Sequence, residues 1–491
     1  MNKKNREKTP KQRMNRDILI VTYIFVLIFV AIAAYYIYYV NVRSEEYIAS
    51  TYNTRQDLQA ERVLRGDILA RDGTVLVTSN ETGDGQERIY PYGGMYAQVL
   101  GYYGHGKAGV ERVYNHYLWR CHVNMFEQIA HTARGELNEG DSVVTTLDPR
   151  LQEIAYDMLR QYDGGAVVAL DPATGEILCM ASWPSFDPNE ISVIWDEINE
   201  DETSSVLVNR ATSGYYMPGS TFKIVDALAA YRQYGTGIED ALYYDCEGAV
   251  TLQDAVTVEE LRVACDSDIA HGTVNMRGAF ARSCNGYFIT LGSQLDLRTW
   301  RETAEDLLYN GEIDFALSNA SGRFTLDGES GTWETMLTAI GQGDTLVTPL
   351  QNALISAAVA NGGTVMQPVI VNEIRTSGGT HVRDFRHEEM ARLMTEDEAA
   401  FLRELMTAVV NEGTATNMQS PYYQAAGKTG TAQNTSAPGD SNALFTGFAP
   451  ADAAPGERQI VVSVVVENGG RVHGSATEIA SAIFDEWLVN R

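Results

Sequence analysis

The chain carries one long stretch without a charged side chain, at residues 18–40, directly after a short basic segment. As a helix rising about 1.5 Å per residue, these 23 residues reach roughly 35 Å, enough to cross the hydrocarbon of a bilayer. Residues 1–16 hold seven basic residues and one acid, and a basic flank favours the cytoplasmic side. We therefore predict a cytoplasmic tail at 1–17, a transmembrane helix at 18–40 and an extracytoplasmic remainder.

The same stretch has a second interpretation, a cleaved signal peptide, because Ala31-Ile32-Ala33 resembles a cleavage site. The apolar core of a signal peptide spans only about 7–15 residues, and this stretch continues beyond the alanines. The sequence therefore favours a retained single-pass anchor in the cell membrane.

The rest of the chain is acidic, since the full 491 residues have a net charge of −28 in spite of the basic tail. A body of this charge repels nucleic-acid phosphates, so we predict no nucleic-acid partner. The length suits two or three domains.

Changes in composition divide the part after the anchor. Residues 41–60 are polar and favour a helix. Short alternating apolar and polar pieces with many glycines follow, which predicts a small β-rich pedestal module over 41–150. Over 151–491, strand-like segments near both ends enclose helical stretches. This pattern predicts a mixed α/β domain with a central antiparallel sheet flanked by helices.

Five cysteines occur, an odd number that excludes complete intramolecular pairing. Cys246 and Cys265 flank an acidic insert, and they could form a disulfide in an oxidising exterior or remain free thiols. Neither H-E-x-x-H nor paired C-x-x-C motifs occur, so the sequence predicts no metal site.

The first candidate for catalysis is S-T-F-K at 220–223, which follows Pro218-Gly219 and runs into an alanine-rich apolar stretch. That stretch predicts a helix beginning at the motif, so Ser220 and Lys223 would share one face of its first turn. A lysine whose pKa is lowered by burial could accept the serine proton and so activate the hydroxyl as a nucleophile. The pattern is short enough to occur by chance in a chain of this length.

The distribution of lysine strengthens this hypothesis. After the first 16 residues the sequence has three lysines against 27 arginines, and two of the three are Lys223 and Lys428. Arginine is effectively never deprotonated, whereas lysine can lose its proton. We infer that both positions require an amine; the alternative is that both are incidental surface lysines.

Two further motifs complete the candidate set. Ser283 and Asn285 in S-C-N offer a hydroxyl that can relay a proton and an amide that can hold a peptide group, although a capping serine and a turn asparagine would look the same. Lys428 opens K-T-G-T, which predicts a strand that another backbone can approach closely, with hydroxyls suited to a carboxylate; the alternative is a plain edge strand. The candidate substrate-binding residues of this strand are Thr429, Gly430 and Thr431.

In this order the three motifs resemble those of class B penicillin-binding proteins, the monofunctional peptidoglycan D,D-transpeptidases. The resemblance continues over nearly the whole chain after the anchor. The similar segments are R-G-D-I-L-A-R-D-G at 65–73, R-I-Y-P at 88–91, G-V-E-R-V-Y-N at 109–115, G-A-V-V-A-L-D-P-A-T-G-E-I-L at 165–178, S-F-D-P-N at 185–189, G-Q-G at 341–343 and T-P-L-Q at 348–351.

The resemblance implies a serine β-lactamase-like transpeptidase fold on a membrane-side pedestal, with no metal or organic cofactor. Ser220 would attack the penultimate D-Ala carbonyl of a peptidoglycan stem peptide, and Lys223 would accept its proton. Ser283 and Lys428 would pass a proton to the departing D-Ala, while Asn285 would hold the donor peptide.

The resemblance also implies that the hydroxyls of Thr429 and Thr431 bind the terminal carboxylate. The backbone N–H groups of Ser220 and Thr431 would form the oxyanion hole. β-Lactam antibiotics would acylate the same serine. A SEDS-type membrane glycosyltransferase is the implied partner, and a role in elongation, division or sporulation stays open.

Other functions remain alternatives. Membrane-bound β-lactamases and β-lactam sensors of the same fold also carry P-x-S-T-F-K, but their middle motif usually ends in valine and a Y-G-N follows. Here Asn285 ends the middle motif, and Y-G-N does not occur. A bifunctional synthase would need a larger domain than 41–150 allows, and an inactive scaffold would not need the intact serine and lysines.

Overall fold

The computed structural model describes residues 10–39, 63–83, 85–123, 128–129, 133–134, 137–201, 204–253, 260–265, 268–433, 440–454, 456–471 and 474–490. The chain divides into two units, Met1–Glu61 and Arg62–Arg491, and each is described by itself. The predicted polar helix at 41–60 lies outside the described residues.

The described residues of the first unit, 10–39, contain one α-helix, Pro10–Tyr38. Its segment Ile18–Tyr38 has 21 residues with a mean hydropathy of 2.8, and its apolar side chains are exposed. By length and composition this segment could cross a membrane, in agreement with the prediction for 18–40 as far as the described residues extend.

A five-stranded sheet lies at the centre of the second unit, and all of its pairings are antiparallel, as predicted. Every residue of Gly164–Leu170 is buried. Because successive side chains of a strand point to opposite faces, both faces of the sheet are covered. The strands, in spatial order, are Ile177–Trp183, Gly164–Leu170, Ile460–Glu467, Ser441–Ala449 and Ala426–Gln433.

Helices pack on this sheet, which confirms the predicted mixed α/β architecture. Pro149–Leu159 and Ser475–Leu488 contact each other and the sheet. Pro349–Ala360 also packs on the sheet, and it is buried at nearly every position, its polar residues Gln351, Asn352 and Ser356 included. The other helices of this part are Ile191–Glu200, Arg210–Ser213, Lys223–Tyr234, Ile238–Ala241, Met276–Ala281, Asn285–Gly292, Leu297–Asp306, Thr332–Thr338 and Glu396–Glu412.

Short polar side chains start several of these helices. The carboxylate of Asp148 accepts hydrogen bonds from the N–H groups of Arg150 and Leu151. Thr395 and Glu398 form a reciprocal capping box at the start of Glu396–Glu412. Such caps satisfy N–H groups that have no partner within the helix.

A six-stranded sheet forms the N-terminal part of the second unit and confirms its predicted β-rich character. Two of its strands, Val371–Arg375 and His381–Asp384, come from the region predicted as the catalytic domain. The division at residue 150 stays a prediction, but strands from both sides of it share this sheet. The order is His381–Asp384, Val371–Arg375, Ser142–Thr145, Ile68–Leu69, Val75–Thr82 and Gly85–Ile89.

Short helices and two-stranded pairs also belong to this unit. Three short helices lie in the chain between the strands Gly85–Ile89 and Ser142–Thr145: Ala97–Leu100, Gly109–Val113 and Asn115–Leu118. The two-stranded pairs are Val63–Leu64 with Asn138–Glu139, Tyr103–Gly104 with Gly106–Lys107, Tyr244–Cys246 with Gly272–Val274, Ala249–Gln253 with Glu260–Ala264, and Thr364–Met366 with Glu389–Arg392.

Three of the family-like segments meet in one buried charge cluster near the six-stranded sheet. Arg65 donates from Nε to Glu111 Oε2 at 2.8 Å and from Nη1 to Asn115 Oδ1 at 2.6 Å, and Arg88 Nε donates to Glu111 Oε1 at 2.6 Å. Burial alone would raise the pKa of Glu111, but the two guanidinium groups hold it below its ordinary value. The cluster therefore contains a fully buried, charged carboxylate.

We predict that Arg65→Ala destabilises the protein by about 3–5 kcal/mol, because it removes one of the two guanidinium groups that compensate the buried charge of Glu111. Arg150→Ala is the matched control, since it removes an arginine from an exposed pair with Glu153 and should cost less than about 1 kcal/mol. Urea unfolding of the full-length protein in detergent, followed by tryptophan fluorescence, measures both values. Equal losses in the two variants would contradict the prediction.

Candidate active site

Ser220 lies in a short 3₁₀ turn, Gly219–Phe222, that leads directly into the helix Lys223–Tyr234. The sequence predicted an α-helical first turn here; the difference arises because the N–H of Thr221 donates to the carbonyl of Pro218 at 3.2 Å, an i to i+3 bond. Residues three apart in a 3₁₀ turn are eclipsed, so this geometry keeps Ser220 and Lys223 on one side. Ser220 is half-buried, and Lys223 is fully buried.

The Ser220 turn is held from two sides by glycine-containing segments. The N–H of Gly219 donates to the carbonyl of Gly341 at 2.9 Å, and both glycines have positive φ angles. A Cβ on Gly341 would lie 1.9 Å from the carbonyl oxygen of Gly219. A Cβ on Gly430 would lie 3.0 Å from the carbonyl oxygen of Pro218. The backbones of the G-Q-G and K-T-G segments therefore pack directly against the backbone of the turn that carries Ser220.

The amine of Lys223 is directed at the S-C-N segment. Its Nζ donates to the carbonyl of Ser283 at 2.9 Å, to Ser283 Oγ at 3.2 Å and to Asn285 Oδ1 at 2.7 Å. Among the described residues, none of its hydrogen bonds runs to Ser220. Burial lowers the pKa of Lys223 to about 8, so a substantial fraction of the amine is neutral near physiological pH.

The amine of Lys428 reaches the same serine from the other side. Its Nζ donates to Ser283 Oγ at 3.0 Å and to the carbonyl of Thr429 at 3.0 Å. Burial and the charge of Lys223 lower the pKa of Lys428 well below its ordinary value. Both lysines are fully buried and both contact Ser283, which excludes the alternative of incidental surface lysines.

Asn285 connects Lys223 to the insert that follows Cys246. It accepts from Lys223 through Oδ1, and its Nδ2 donates to the carbonyl of Ala264 at 2.7 Å. Ser283 has a φ of 55° and joins two helices, and Asn285 is the first residue of the second one. Ser283 therefore lies in the connection between the two helices, whereas Asn285 already belongs to the second helix.

The K-T-G-T segment is a strand, as predicted, and it forms the edge of the central sheet. Lys428 and Gly430 are buried, whereas Thr429 is half-buried and Thr431 is exposed. An edge strand presents backbone groups that are not paired within its sheet. The amine of Lys428 faces Ser283 instead of the outer side of the strand, so the accessible hydroxyls are those of the two threonines.

Sequence reasoning missed three residues beside this site. Thr414 shares a 2.5 Å hydrogen bond with the hydroxyl of Thr429, and no sequence pattern marks it. Asp226 lies one helical turn after Lys223, where burial raises the pKa of its carboxyl well above the ordinary value against the effect of that lysine. The sequence marked Asp226 only as a single acidic residue within an apolar helical stretch. Gly341 was noted as part of G-Q-G but was not assigned to the site.

A second constellation was also missed. The ligand atoms of Cys246, Cys265, His271 and Cys284 all lie within 4.8 Å of one another. No short motif predicts this group because its members are scattered along the sequence. Cys246 and Cys265 are not disulfide-bonded in this structure, which corresponds to the free-thiol alternative.

Comparison with known proteins identifies the family. The penicillin binding protein transpeptidase domain matches residues 165–488, which include all eight predicted site residues. This chain is a class B penicillin-binding protein. The penicillin binding protein A dimerisation domain matches residues 65–169.

Relatives of this class B penicillin-binding protein cover most of the chain. Peptidoglycan D,D-transpeptidase PbpA of Mycolicibacterium smegmatis is 32% identical over 388 residues, which are 72% of this chain and 76% of the relative. Peptidoglycan D,D-transpeptidase MrdA of Acinetobacter baumannii is 30% identical over 463 residues, which are 82% of this chain and 66% of the relative.

Solved structures agree with this assignment. The crystal structure of PBPA from Mycobacterium tuberculosis has a TM-score of 0.77 and 30% identity, and the match covers 87% of this chain and 99% of that one. An imipenem acyl-enzyme complex of the same protein has a TM-score of 0.76 at 30% identity and covers 88% and 100%.

We predict that Gly341→Ala slows acylation by a fluorescent penicillin by about 100-fold, because its Cβ would displace the turn that carries Ser220. Gly343→Ala is the matched control: its φ of +80° is similar to the +68° of Gly341, but a Cβ there meets nothing closer than 3.7 Å. Both substitutions carry the same type of backbone strain, so the difference between their rates isolates the contact with Gly219. Equal slowing in the two variants would show that strain alone is responsible.

Proposed function

We propose that this protein is a peptidoglycan D,D-transpeptidase that crosslinks stem peptides through an acyl-enzyme on Ser220. The observation that carries the proposal is the pair of buried amines, Lys223 and Lys428, on either side of Ser283 Oγ. A half-buried serine beside a lysine of lowered pKa is the arrangement that nucleophilic acyl transfer requires. Family membership and the relatives' D,D-transpeptidase activity support the same assignment.

Acylation begins with attack of Ser220 Oγ on the penultimate D-Ala carbonyl of a donor stem peptide. Lys223 in its neutral form takes the hydroxyl proton. For this step its amine exchanges one of its present hydrogen bonds, to Ser283 or Asn285, for one to Ser220. The N–H groups of Ser220 and Thr431 stabilise the negative charge that develops on the carbonyl oxygen.

Collapse of the tetrahedral intermediate breaks the C–N bond and releases the terminal D-Ala. The departing amine takes a proton through Ser283, which lies at 3.2 Å and 3.0 Å from the two lysine amines. Before release, the hydroxyls of Thr429 and Thr431 bind the terminal carboxylate, and Gly430 lets the donor backbone lie close to the strand.

The acceptor step reverses this proton movement. The amine of a second stem peptide attacks the ester carbon, and Lys223 takes its proton. The ester bond breaks, and Ser220 regains its proton. The new amide is the crosslink, and no metal or organic cofactor enters these steps.

The cellular setting is part of the proposal. The helix Ile18–Tyr38 is a single-pass anchor with its basic N-terminal tail in the cytoplasm and the catalytic unit outside. Residues 41–150 form the pedestal, and 151–491 form the transpeptidase domain. A SEDS-type membrane glycosyltransferase is the partner that would supply new glycan strands next to the anchor.

The alternative function is a membrane-bound β-lactamase or β-lactam sensor, because both share this fold and acylation chemistry. The transpeptidase and the β-lactamase differ in two measurable properties: how long the β-lactam acyl-enzyme persists, and whether the acyl group passes to an amine or to water. A transpeptidase transfers the acyl group to an amine and hydrolyses β-lactam esters slowly, whereas a β-lactamase hydrolyses them rapidly.

We predict that a fluorescent penicillin labels the full-length protein at one site and that Ser220→Ala abolishes labelling. The acyl-enzyme should persist for many minutes, and purified lipid-linked pentapeptide glycan should be crosslinked with release of D-Ala. Gel fluorescence and mass spectrometry of the products measure both properties. Labelling of the alanine variant would refute the nucleophile assignment, and rapid turnover of penicillin would favour the β-lactamase.

We predict that the acylation rate constant rises with pH and levels off above about pH 8. Burial lowers the pKa of Lys223 to about 8, and the neutral amine, which is the base, predominates above that pH. Stopped-flow measurement of penicillin acylation between about pH 6 and pH 9 gives the profile. Lys223→Arg should be inactive over this range, since arginine does not deprotonate. A flat profile, or an active arginine variant, would contradict the role of this lysine as a base.

A further inference from the structure

A turn to which the proposed reaction gives no role lies between two motifs of the active site. It consists of Gly413 and Thr414, which follow directly after the helix Glu396–Glu412. That helix packs against the helix Met276–Ala281, which leads into S-C-N, and against the strand Ala426–Gln433, which contains K-T-G-T. The turn is therefore placed to contact both motifs.

The backbone of this turn contacts the segment that leads to Ser283. The N–H of Thr414 donates to the carbonyl of Ala281 at 3.1 Å. A Cβ on Gly413 would lie 2.0 Å from the same carbonyl oxygen, so the two backbones are in direct contact. Because Ala281 precedes Ser283 by only two residues, these contacts fix the position of Thr414 relative to the S-C-N segment.

The side chain of Thr414 contacts the other motif. Its Oγ1 lies 2.5 Å from Oγ1 of Thr429, at the short end of the range for hydrogen bonds between hydroxyls. Both threonines are half-buried. Within the described part of the chain, no other hydrogen bond of the Thr429 hydroxyl is found, so its orientation depends on Thr414.

The direction of this hydrogen bond decides what the Thr429 hydroxyl can offer to a ligand. A hydroxyl has one proton to donate and two lone pairs, whereas a carboxylate can only accept. If Thr429 donated to Thr414, its proton would be occupied, and its lone pairs would repel a carboxylate. If Thr414 is the donor, Thr429 keeps its own proton for the carboxylate. A bound carboxylate therefore selects the second arrangement.

We propose that Thr414 is a positioning residue that orients the Thr429 hydroxyl to donate to the terminal carboxylate of the donor stem peptide. The inference rests on the proposed function, in which Thr429 and Thr431 bind that carboxylate. In the bound state, Thr414 donates to Thr429, and Thr429 donates to the carboxylate. Hydrogen bonds in such a chain polarise one another, which strengthens the bond to the charged group. Thr414 acts through Thr429 and does not contact the substrate.

The consequence is a preference for acyl donors whose leaving group ends in a free carboxylate. A hydrogen bond to a charged acceptor is about twice as strong as one between neutral groups, so a carboxylate gains most from the oriented proton. Loss of the Thr414 hydroxyl should weaken the reaction of carboxylate-bearing donors and leave neutral donors nearly unchanged. A purely structural role of the turn would affect both kinds of donor equally.

Two thioester acyl donors separate these cases. One is an N-acyl-D-alanyl thioester whose leaving group ends in a carboxylate, and the other has an amide in place of that carboxylate. Mass spectrometry of the full-length protein in detergent gives the second-order rate constant for acylation of Ser220 by each donor. Thr414→Val should lower the rate constant for the carboxylate donor by about tenfold and that for the amide donor by less than about twofold.

Three comparisons control this result. Thr414→Ser keeps the hydroxyl and should retain the wild-type preference. Thr416→Val is the matched control, because it removes the hydroxyl of an exposed threonine two positions further along the chain. In a Thr429→Val background, Thr414→Val should have no further effect on the carboxylate donor, since the hydroxyl that it orients is already absent.

The ratio of the two rate constants, measured in one preparation, does not depend on how much of a variant is folded. Thr414→Ala gives a second such ratio if the valine variant cannot be purified. Equal slowing with both donors would overturn the positioning role and leave the turn a structural one. An unchanged preference in Thr414→Val, or a lost preference in Thr414→Ser, would overturn it as well.

The wild-type protein tests the assumption behind the inference. Without a preference for the carboxylate donor, the contact of Thr429 with the carboxylate would be refuted, and the inference with it. Acylation is measured without an acceptor peptide. A protein that is acylated with this preference but does not crosslink stem peptides would refute the transpeptidase assignment and leave the role of Thr414 standing.

Discussion

The hydroxyl of Ser283 lies between two buried amines, and the chemistry of the site depends on that arrangement. An ammonium group loses its hydration on burial, and two such groups close together repel each other, so at least one of the pair has to be neutral. A hydroxyl can accept a hydrogen bond from one amine and donate to the lone pair of the other. The packing that buries Lys223 and Lys428 therefore also favours the neutral amine that the proposed mechanism uses as a base, and it places Ser283 where the proton could pass.

Burial of this kind needs a rigid frame. Lys223 begins a helix whose first eight residues are all buried, and Lys428 lies on the edge strand of a sheet covered on both faces. The turn Gly219–Phe222 that leads into this helix lies against Gly430 of the edge strand, and its Gly219 N–H donates to the carbonyl of Gly341. Because these contacts are between backbones, small movements of the frame would be transmitted directly to the turn that carries Ser220.

Much of this could be predicted from the sequence. The strand-like segments expected near both ends of 151–491 form the central sheet, and the strand expected to begin at Lys428 lies within Ala426–Gln433. The scarcity of lysine singled out both amines. Patterns of this type report local structure and residue chemistry, so they served well for Ser220 and Lys428. They could not place Asn285 at a helix start or Thr414 against Thr429, since those positions follow from tertiary packing.

The same limit explains the cysteines and the six-stranded sheet. Cys246 and Cys284 come together only through the pairing of two short strands with an insert between them, and no local spacing encodes that. Likewise, Val371–Arg375 has an ordinary strand pattern, and nothing local indicates that its partner is Ser142–Thr145. Long-range pairing was therefore the part of the fold that sequence reasoning could not supply.

That pairing has a consequence for how the protein is made. The hydroxyl of Thr146 donates to the carbonyl of Val369, 223 residues later in the chain. During synthesis, the N-terminal strands emerge long before the strands that complete their sheet, and closing so long a loop is slow. Until the later segment arrives, the edge of Ser142–Thr145 is open to incorrect pairing.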